Sequence, residues 1–158
     1  MSTKMTLRIK SSSSEETENL GSLLGHQLKG GEVIELISDL GGGKTTLTRG
    51  IARGLGSADH VSSPTFKVCN VYKANKIDIY HYDFYRLNEP GLAEHELADA
   101  LDDPRAVIIV EWSGIVDHVL PDERCTIEIL QTGDDTREIA ITTPRKLEYI
   151  LEDVDTDN

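Results

Sequence analysis

A glycine-rich segment at residues 38–46 constrains the fold of this chain more than any other feature: it reads Ser-Asp-Leu-Gly-Gly-Gly-Lys-Thr-Thr. It follows a short apolar run at 33–37 and precedes a helical pattern at about 44–55. Glycines let backbone N–H groups turn inward around phosphate oxygens, and the start of the helix directs its positive end at the anion. The order strand, glycine-rich loop, Lys-Thr and helix therefore predicts a P-loop.

The side chains of this loop have separate tasks in the predicted ATP site. Lys44 reaches the β- and γ-phosphates, and the hydroxyl of Thr45 holds Mg²⁺. Ser38 occupies the position that usually carries the first glycine of the motif. It weakens binding if that position needs a positive φ. The residues predicted to surround the nucleotide phosphates are Asp39, Leu40, Gly41, Gly42, Gly43, Lys44, Thr45 and Thr46.

Alternating strand and helix patterns over the rest of the chain predict a three-layer α/β fold. An apolar run at 106–110 predicts a central strand, and alternating runs at 66–72 and 76–83 predict a hairpin. Further strands are expected at 6–10, 125–131 and 138–142, with helices after the serines at 11–14, over 92–101 and from about residue 144. This order predicts a P-loop NTPase-like fold with a mixed, largely parallel central sheet and a β-hairpin insertion.

Length and charge limit the domain organisation and the function classes. We expect residues 1–150 to form a single P-loop ATPase domain and the segment 151–158, which is rich in acidic residues, to be a disordered tail. The net charge is −12, which disfavours autonomous binding of nucleic acid, so RNA would be held by another protein. The sequence has no apolar run long enough to span a bilayer and no secretory signal, which predicts a cytoplasmic protein that does not engage a membrane.

Two carboxylates stand at the ends of predicted strands, Asp83 and Glu111. In an open α/β sheet, ligands sit beyond the carboxyl ends of the strands, so both side chains are expected beside the phosphates. One would bind Mg²⁺ directly or through water, and the other would orient the attacking water. A solvated loop carboxylate is the alternative for either one alone.

Four other side chains have a functional and a structural interpretation. Thr65, after Pro64, is either a sensor of the γ-phosphate or a structural loop residue. Arg86 is a charge stabiliser or a salt-bridge partner, and Trp112 is a contact surface or a packing residue. For His81, packing or hydrogen bonding is favoured over catalysis.

Four motifs in fixed order resemble one protein family. They are Asp-Leu-Gly-Gly-Gly-Lys-Thr-Thr-Leu-Thr-Arg-Gly at 39–50, Ser-Pro-Thr-Phe at 63–66, His-Tyr-Asp-Phe-Tyr-Arg-Leu at 81–87, and Val-Glu-Trp-Ser at 110–113. From about residue 14 to residue 137 their order and spacing resemble the TsaE (formerly YjeE) family. Members of that family are the bacterial P-loop ATPases of tRNA N6-threonylcarbamoyladenosine (t6A) biosynthesis.

The resemblance implies a small Mg-dependent ATPase that acts on a partner assembly. That assembly is the threonylcarbamoyl-transferase heterodimer TsaB–TsaD, and ATP hydrolysis supports repeated modification of adenosine 37 in ANN-decoding tRNAs. The tRNA would be reached only through the heterodimer, and activity without the partners would be low.

The resemblance also implies roles for individual residues. By matching position, Thr45 and Glu111 hold the magnesium, and Asp83 serves the hydrolytic step. Ser14 and the Thr136-Arg137 turn approach the adenine or ribose. Residues 63–65 form a switch-like loop. Apart from the resemblance, we expect partner contacts around the mouth of the nucleotide site, on loops that carry Thr65, Arg86 and Trp112. The sequence departs from the family pattern at Ser38, where glycine is usual, and at Gly42, where alanine is common.

Two alternatives stay open at this point. A small nucleoside or nucleotide kinase shares the loop and the fold class, but such kinases usually carry an Arg-bearing lid, and the sequence has no Arg-rich segment of that kind. A nucleotide-dependent binding switch with negligible turnover is the second alternative.

Overall fold

The computed structural model describes residues 3–38, 43–62, 64, 68–85, 87, 89 and 91–154. Its strands are β1 (Lys4–Ser11), β2 (Val33–Ile37), β3 (Cys69–Lys73), β4 (Asp78–Asp83), β5 (Ala106–Glu111), β6 (Cys125–Gln131) and β7 (Arg137–Pro144). Its α-helices are α1 (Ser14–His26), α2 (Lys44–Gly54) and α3 (Gly91–Leu101). Two 3-10 helices complete the described elements, η1 (Ser113–Val119) and η2 (Arg145–Leu151).

The strands form one seven-stranded mixed sheet in the order β1-β7-β6-β2-β5-β4-β3. The four central strands, β6, β2, β5 and β4, are parallel to one another. Strands β7 and β1 on one side and β3 on the other run antiparallel to their neighbours. The predicted fold class is confirmed, including the hairpin, which is the antiparallel pair β3–β4.

Helices cover both faces of the sheet, so the domain has three layers. On one face, α1, α2 and η2 pack on a core that includes Leu24, Ile51, Ile109 and Leu147. On the other face, α3 and η1 cover a second core. Alternate residues of a strand point to opposite faces, so Glu111 follows Val107 and Ile109 onto the face of α1 and α2.

Helices α1 and α2 approach each other closely because glycines line their contact. A Cβ added at Gly50 would lie 2.0 Å from the backbone oxygen of Glu18, and one at Gly25 would lie 2.2 Å from that of Ile51. Gly21 and Gly54 meet backbone oxygens of the opposite helix in the same way. These distances leave no room for a side chain, so the contact fixes α2, and with it the start of the helix at Lys44.

The chain departs from the sequence-based expectations at its two 3-10 helices. The last predicted helix is the 3-10 helix η2, and η1 follows β5 where no helix was expected. Leu151 is buried and Val154 packs against the core. Residues 155–158 of the predicted tail lie outside the described residues. Within the described part of the chain, no helix combines the length and apolar character needed to cross a membrane.

Candidate functional site

Lys44 is the first residue of α2, and its ammonium group is buried at the end of the parallel strands. The side chain is 7% exposed, and Nζ donates to the backbone oxygen of Ser38 at 3.3 Å. Nζ also lies 3.6 Å from Oε1 of Glu111 and 4.7 Å from the ring centroid of Trp112. A buried cation so placed at a helix N-terminus gives this position a positive potential that suits a phosphate group.

The turn into α2 has the geometry expected of the last loop glycine. Gly43 is the N-cap of α2 with φ of 103°, a conformation that favours glycine. Of the described non-glycine residues, only Trp112 has a positive φ, so Ser38 does not occupy a strained conformation. Several predicted site residues lie outside the described residues: Asp39, Leu40, Gly41, Gly42, Thr65 and Arg86.

Glu111 ends β5 and is held by two buried partners. Its carboxylate is 3% exposed; Oε1 faces Lys44, and Oε2 lies 2.5 Å from Nε2 of His81. His81 is fully buried, and its Nδ1 lies 3.0 Å from the hydroxyl of Tyr72. That hydroxyl donates to the backbone oxygen of Ser62 at 2.8 Å. Glu111 therefore lies at one end of a buried polar chain.

The hydrogen bonds of this chain have a definite direction, because each side chain has a limited number of protons to donate. Tyr72 has one hydroxyl proton, which it gives to the carbonyl of Ser62, so Nδ1 of His81 donates to the hydroxyl oxygen of Tyr72. One further proton lies between Nε2 of His81 and Oε2 of Glu111. Every polar side-chain atom from Glu111 to Tyr72 is thereby satisfied, as burial requires.

Asp83 ends β4 directly beside Glu111, since the two residues are register partners of parallel strands. Its side chain is half-buried, and Oδ1 accepts a hydrogen bond from the backbone N–H of Tyr85 at 3.0 Å. Burial raises the pKa of Asp83 above its usual range, and the bond from Tyr85 opposes that shift. Asp83 is thus a carboxylate at the mouth of the site that is outside the hydrogen-bonded chain of Glu111, His81 and Tyr72.

Trp112 adopts a left-handed conformation between two anchored neighbours. Its φ is 55°, which for a non-glycine residue costs about 1–3 kcal/mol. On one side of Trp112, the carboxylate of Glu111 pairs with the ammonium of Lys44. On the other side, Oγ of Ser113 donates to Oε2 of Glu35. Arg124 pairs with the other oxygen of Glu35 at 3.2 Å. These contacts hold the indole over Lys44, where it also packs against Tyr85 with ring centroids 4.8 Å apart.

The residues predicted at the adenine or ribose lie on the β1–β7 side of the loop. A Cβ built on Gly43 would lie 3.6 Å from Nε of Arg137, so the guanidinium borders the end of the glycine-rich segment. Ser11 is the register partner of Arg137, and Ser14 begins α1 just after it as an exposed residue. The hydroxyl of Thr136 accepts a hydrogen bond from Thr132 within the β6–β7 turn.

Thr45 and Glu111 offer the hydroxyl and carboxylate oxygens that Mg²⁺ prefers. Such sites take their remaining ligands from phosphates and water, so a single protein carboxylate is enough. In the described part of the chain, His, Cys, Asp and Glu side chains form no group of three or more that could hold a metal by itself. The donor set fits a nucleotide-bound magnesium.

Four residues that support the site carry no sequence signal of their own: Tyr72, Ser62, Glu35 and Arg124. Tyr72 faces Ile79 in the β3–β4 register, and His81 is its diagonal neighbour. The alternation of β3 indicated which residues share a face, but only the register brings Tyr72 to His81. The preference for a hydrogen-bonded His81 agrees with its contacts.

Two cysteines lie away from this chemistry. Cys125 is buried in β6, and burial raises the pKa of its thiol to about 12. Cys69 is half-buried in β3, and its pKa is raised to about 11, again mainly by burial. Both are free thiols, and neither is activated as a nucleophile.

Comparison with known proteins gives a consistent result. Residues 11–139 match the model of one family, described as "Threonylcarbamoyl adenosine biosynthesis protein TsaE". A protein of Bacillus subtilis (strain 168) called tRNA threonylcarbamoyladenosine biosynthesis protein TsaE is 40% identical over 128 residues, covering 81% of this chain and 80% of its own length. A protein of the same name from Rickettsia conorii is 36% identical over 136 residues, covering 85% of this chain and 77% of its own length.

A solved structure is similar over nearly the whole fold. The crystal structure of Bacillus subtilis YdiB superposes with a TM-score of 0.75 at 34% sequence identity. The match covers 95% of this chain and 94% of YdiB, so the sheet and its helices have counterparts there.

Proposed function

Since this chain belongs to the TsaE family of threonylcarbamoyl adenosine biosynthesis proteins, we propose that it is the Mg²⁺-dependent ATPase of this tRNA modification. One observation carries the proposal. The ammonium of Lys44 is buried at the start of α2 and lies 3.6 Å from the carboxylate of Glu111, which ends the neighbouring parallel strand β5. A phosphate-binding cation beside a hard-metal ligand is the arrangement that nucleotide hydrolysis needs.

Each residue of the site has a proposed role in hydrolysis. Lys44 and the N-terminus of α2 bind the β- and γ-phosphates, and Thr45 and Glu111 hold Mg²⁺, which neutralises phosphate charge when bound. Asp83 orients the attacking water, because its carboxylate lies beside Glu111 and is outside the buried chain. Arg137 borders the loop and lies on the side where the base or ribose would bind.

We propose that the activity supports a partner, in the cytoplasm, rather than a small substrate. The net charge of −12 disfavours direct binding of tRNA, so the TsaB–TsaD transferase heterodimer would hold the RNA. Tyr85 and Trp112 are 46% and 38% exposed at the mouth of the site. Trp112 lies over the phosphate-binding lysine and packs against Tyr85, and an exposed aromatic pair so placed suits a surface that responds to nucleotide and meets a partner.

A phosphate-release assay with and without the heterodimer and tRNA tests this function. We expect slow hydrolysis by the protein alone, stimulation by the heterodimer, and repeated t6A formation only when ATP is hydrolysed. Phosphate transfer to a nucleoside or nucleotide would favour a kinase instead, and nucleotide binding without release would favour a switch. Filter binding at about 0.15 M salt should detect weak tRNA binding by the protein alone. Tight tRNA binding without stimulation would contradict an accessory role.

Lys44→Ala is the variant that tests the proposed ATP site most directly. Loss of the charge-assisted contact to phosphate should weaken ATP binding by about 10- to 100-fold, as measured by calorimetry. Lys73→Ala is the matched control, because it removes the same charge from a lysine that is 69% exposed and paired with Asp78 on the hairpin. Unchanged affinity in Lys44→Ala would remove the main support for an ATP site.

A further inference from the structure

The buried chain that begins at Glu111 ends at a backbone carbonyl on the other side of the hairpin. Its bonds join Glu111 to His81, His81 to Tyr72, and Tyr72 to Ser62, with distances of 2.5, 3.0 and 2.8 Å. The three side chains come from three different strands, β5, β4 and β3. A single polar path therefore crosses one edge of the sheet, from the phosphate-binding lysine to the segment before residue 63.

Burial makes the members of this path depend on one another. His81 is fully buried, and Tyr72 and Glu111 are each 3% exposed. Water cannot readily replace a partner at these depths, so a side chain that moves must be followed by its neighbour or leave a polar atom unsatisfied. A change in the orientation of the Glu111 carboxylate is thus passed to His81 and from His81 to Tyr72.

The outer end of the path is a fixed point for the backbone at Ser62. The carbonyl of Ser62 accepts a second hydrogen bond, from Nδ2 of Asn70, at 3.2 Å. Just before it, Val61 is 2% exposed in the core, and Asp59 accepts from the backbone N–H of Lys73 at 2.6 Å. Side-chain hydrogen bonds therefore hold residues 59–62 along the outer edge of β3. Of the side chains that make these bonds, Tyr72 also contacts the buried His81.

We propose that Tyr72 and His81 are positioning residues that couple the carboxylate of Glu111 to the backbone at Ser62, so that nucleotide bound at Lys44 changes the stability of segment 57–62. The coupling rests on the proposed function, because nucleotide and Mg²⁺ are what would reorient Glu111. His81 and Tyr72 act through Glu111 and touch neither phosphate nor water in this role. The same chain orients Glu111 for hydrolysis.

The test compares Tyr72→Phe with Tyr80→Phe. Tyr72→Phe keeps the ring and removes the hydroxyl that joins His81 to Ser62. Tyr80 lies on β4 with its side chain on the opposite face from His81, so its hydroxyl is outside the path. Amide hydrogen exchange of segment 57–62 is measured with and without a non-hydrolysable ATP analogue and Mg²⁺. Binding of the analogue is followed separately by calorimetry and by the emission of Trp112, the only tryptophan of the chain.

In the unaltered protein and in Tyr80→Phe, we expect the analogue to change exchange in segment 57–62. In Tyr72→Phe we expect the analogue to bind with affinity within about threefold, the exchange change to be lost, and kcat to fall about tenfold with KM for ATP nearly constant. A purely structural Tyr72 would lower stability and leave the exchange response intact, and that result would overturn the coupling. An intact response in Tyr72→Phe overturns it whether or not ATP is hydrolysed.

The proposed function fails in a different measurement. If the analogue binds and the exchange response depends on Tyr72, but no phosphate is released with or without the heterodimer, the coupling stands and the ATPase does not. If the analogue changes nothing in segment 57–62 of the unaltered protein, the coupling is overturned while phosphate release still reports on the ATPase.

Discussion

The α1–α2 contact and the polar chain from Glu111 to Ser62 both support the site, but one is a contact between backbones and the other a series of side-chain hydrogen bonds. The helix contact places Lys44 through glycines, whose missing side chains let two backbones touch. The polar chain places Glu111 through buried hydrogen bonds between side chains of three strands. Backbone contact tolerates no added atom, whereas a hydrogen-bonded chain can lose a hydroxyl and still pack.

The difference predicts which kind of defect each region produces. A side chain added between α1 and α2 must push the helices apart, so its effect is on folding. A hydroxyl removed from the chain leaves the rings in place but takes the acceptor from Nδ1 of His81. We therefore expect a stability cost of about 1–3 kcal/mol together with a change in the position of Glu111 and in turnover. Three variants test the helix contact, the support of Trp112 and the carboxylate of Asp83, in order of decreasing expected effect on stability.

Gly50→Ala should produce the largest loss of stability. Its Cβ would lie 2.0 Å from the backbone oxygen of Glu18, and overpacking of this kind costs about 3 kcal/mol even though alanine favours a helix. For a domain of this size we expect the melting temperature to fall by about 6–12 °C in a thermal unfolding scan. Gly114→Ala is the control, because a Cβ there meets nothing within 4 Å. Equal melting temperatures for the two variants would show that the helices can separate without cost.

Ser113→Ala should have an intermediate effect on stability and a local one on Trp112. It removes the donor to Oε2 of Glu35, a buried carboxylate that keeps its bonds from Arg124 and Thr126. Loss of one such bond to a charged group costs about 2 kcal/mol. We expect a lower denaturation midpoint in urea and a shifted emission of Trp112. An unchanged midpoint would mean that the bond to Glu35 does not support the left-handed conformation at residue 112.

Asp83→Asn should have the smallest effect on stability, and of opposite sign. Burial raises the folded-state pKa of Asp83, so its protonated form favours folding, and that contribution is lost as the pH rises through the raised pKa. At neutral pH the charge is a small cost, and asparagine, which can still accept the N–H of Tyr85, should raise the melting temperature slightly. The gap to the unaltered protein should close as the pH falls through the raised pKa.

Hydrolysis distinguishes Asp83→Asn from the other two variants. If Asp83 orients the attacking water, phosphate release should fall strongly in a protein that is no less stable. In the unaltered protein, turnover should decline on acidification at a higher pH than an ordinary Asp would give, because of the raised pKa. Near-normal turnover in Asp83→Asn would assign the chemistry to another group.

The sequence by itself determined the parts of this protein that are local or that repeat along the chain. The predicted P-loop is one contiguous segment, so Gly43, Lys44 and Thr45 could be assigned to the start of a helix before any contact was known, and α2 begins at Lys44 with Gly43 as its N-cap. Apolar runs identified the interior strands, and the rule that ligands lie beyond the carboxyl ends of strands placed Asp83 beside Glu111, as the β4–β5 register has them.

The tertiary structure decided the supports of the site, because they join residues that are distant in sequence. Glu35 meets Arg124 across 89 positions, and Glu111 meets His81 across 30. Strand order and register set these pairs, and neither is encoded in the spacing of residues along one strand. The same holds for α1 and α2, because only the packed structure shows that their glycines allow the two backbones to touch. Local sequence patterns determine the helices and strands. Long-range packing determines which side chains form hydrogen bonds with each other and where two backbones leave no room for a side chain.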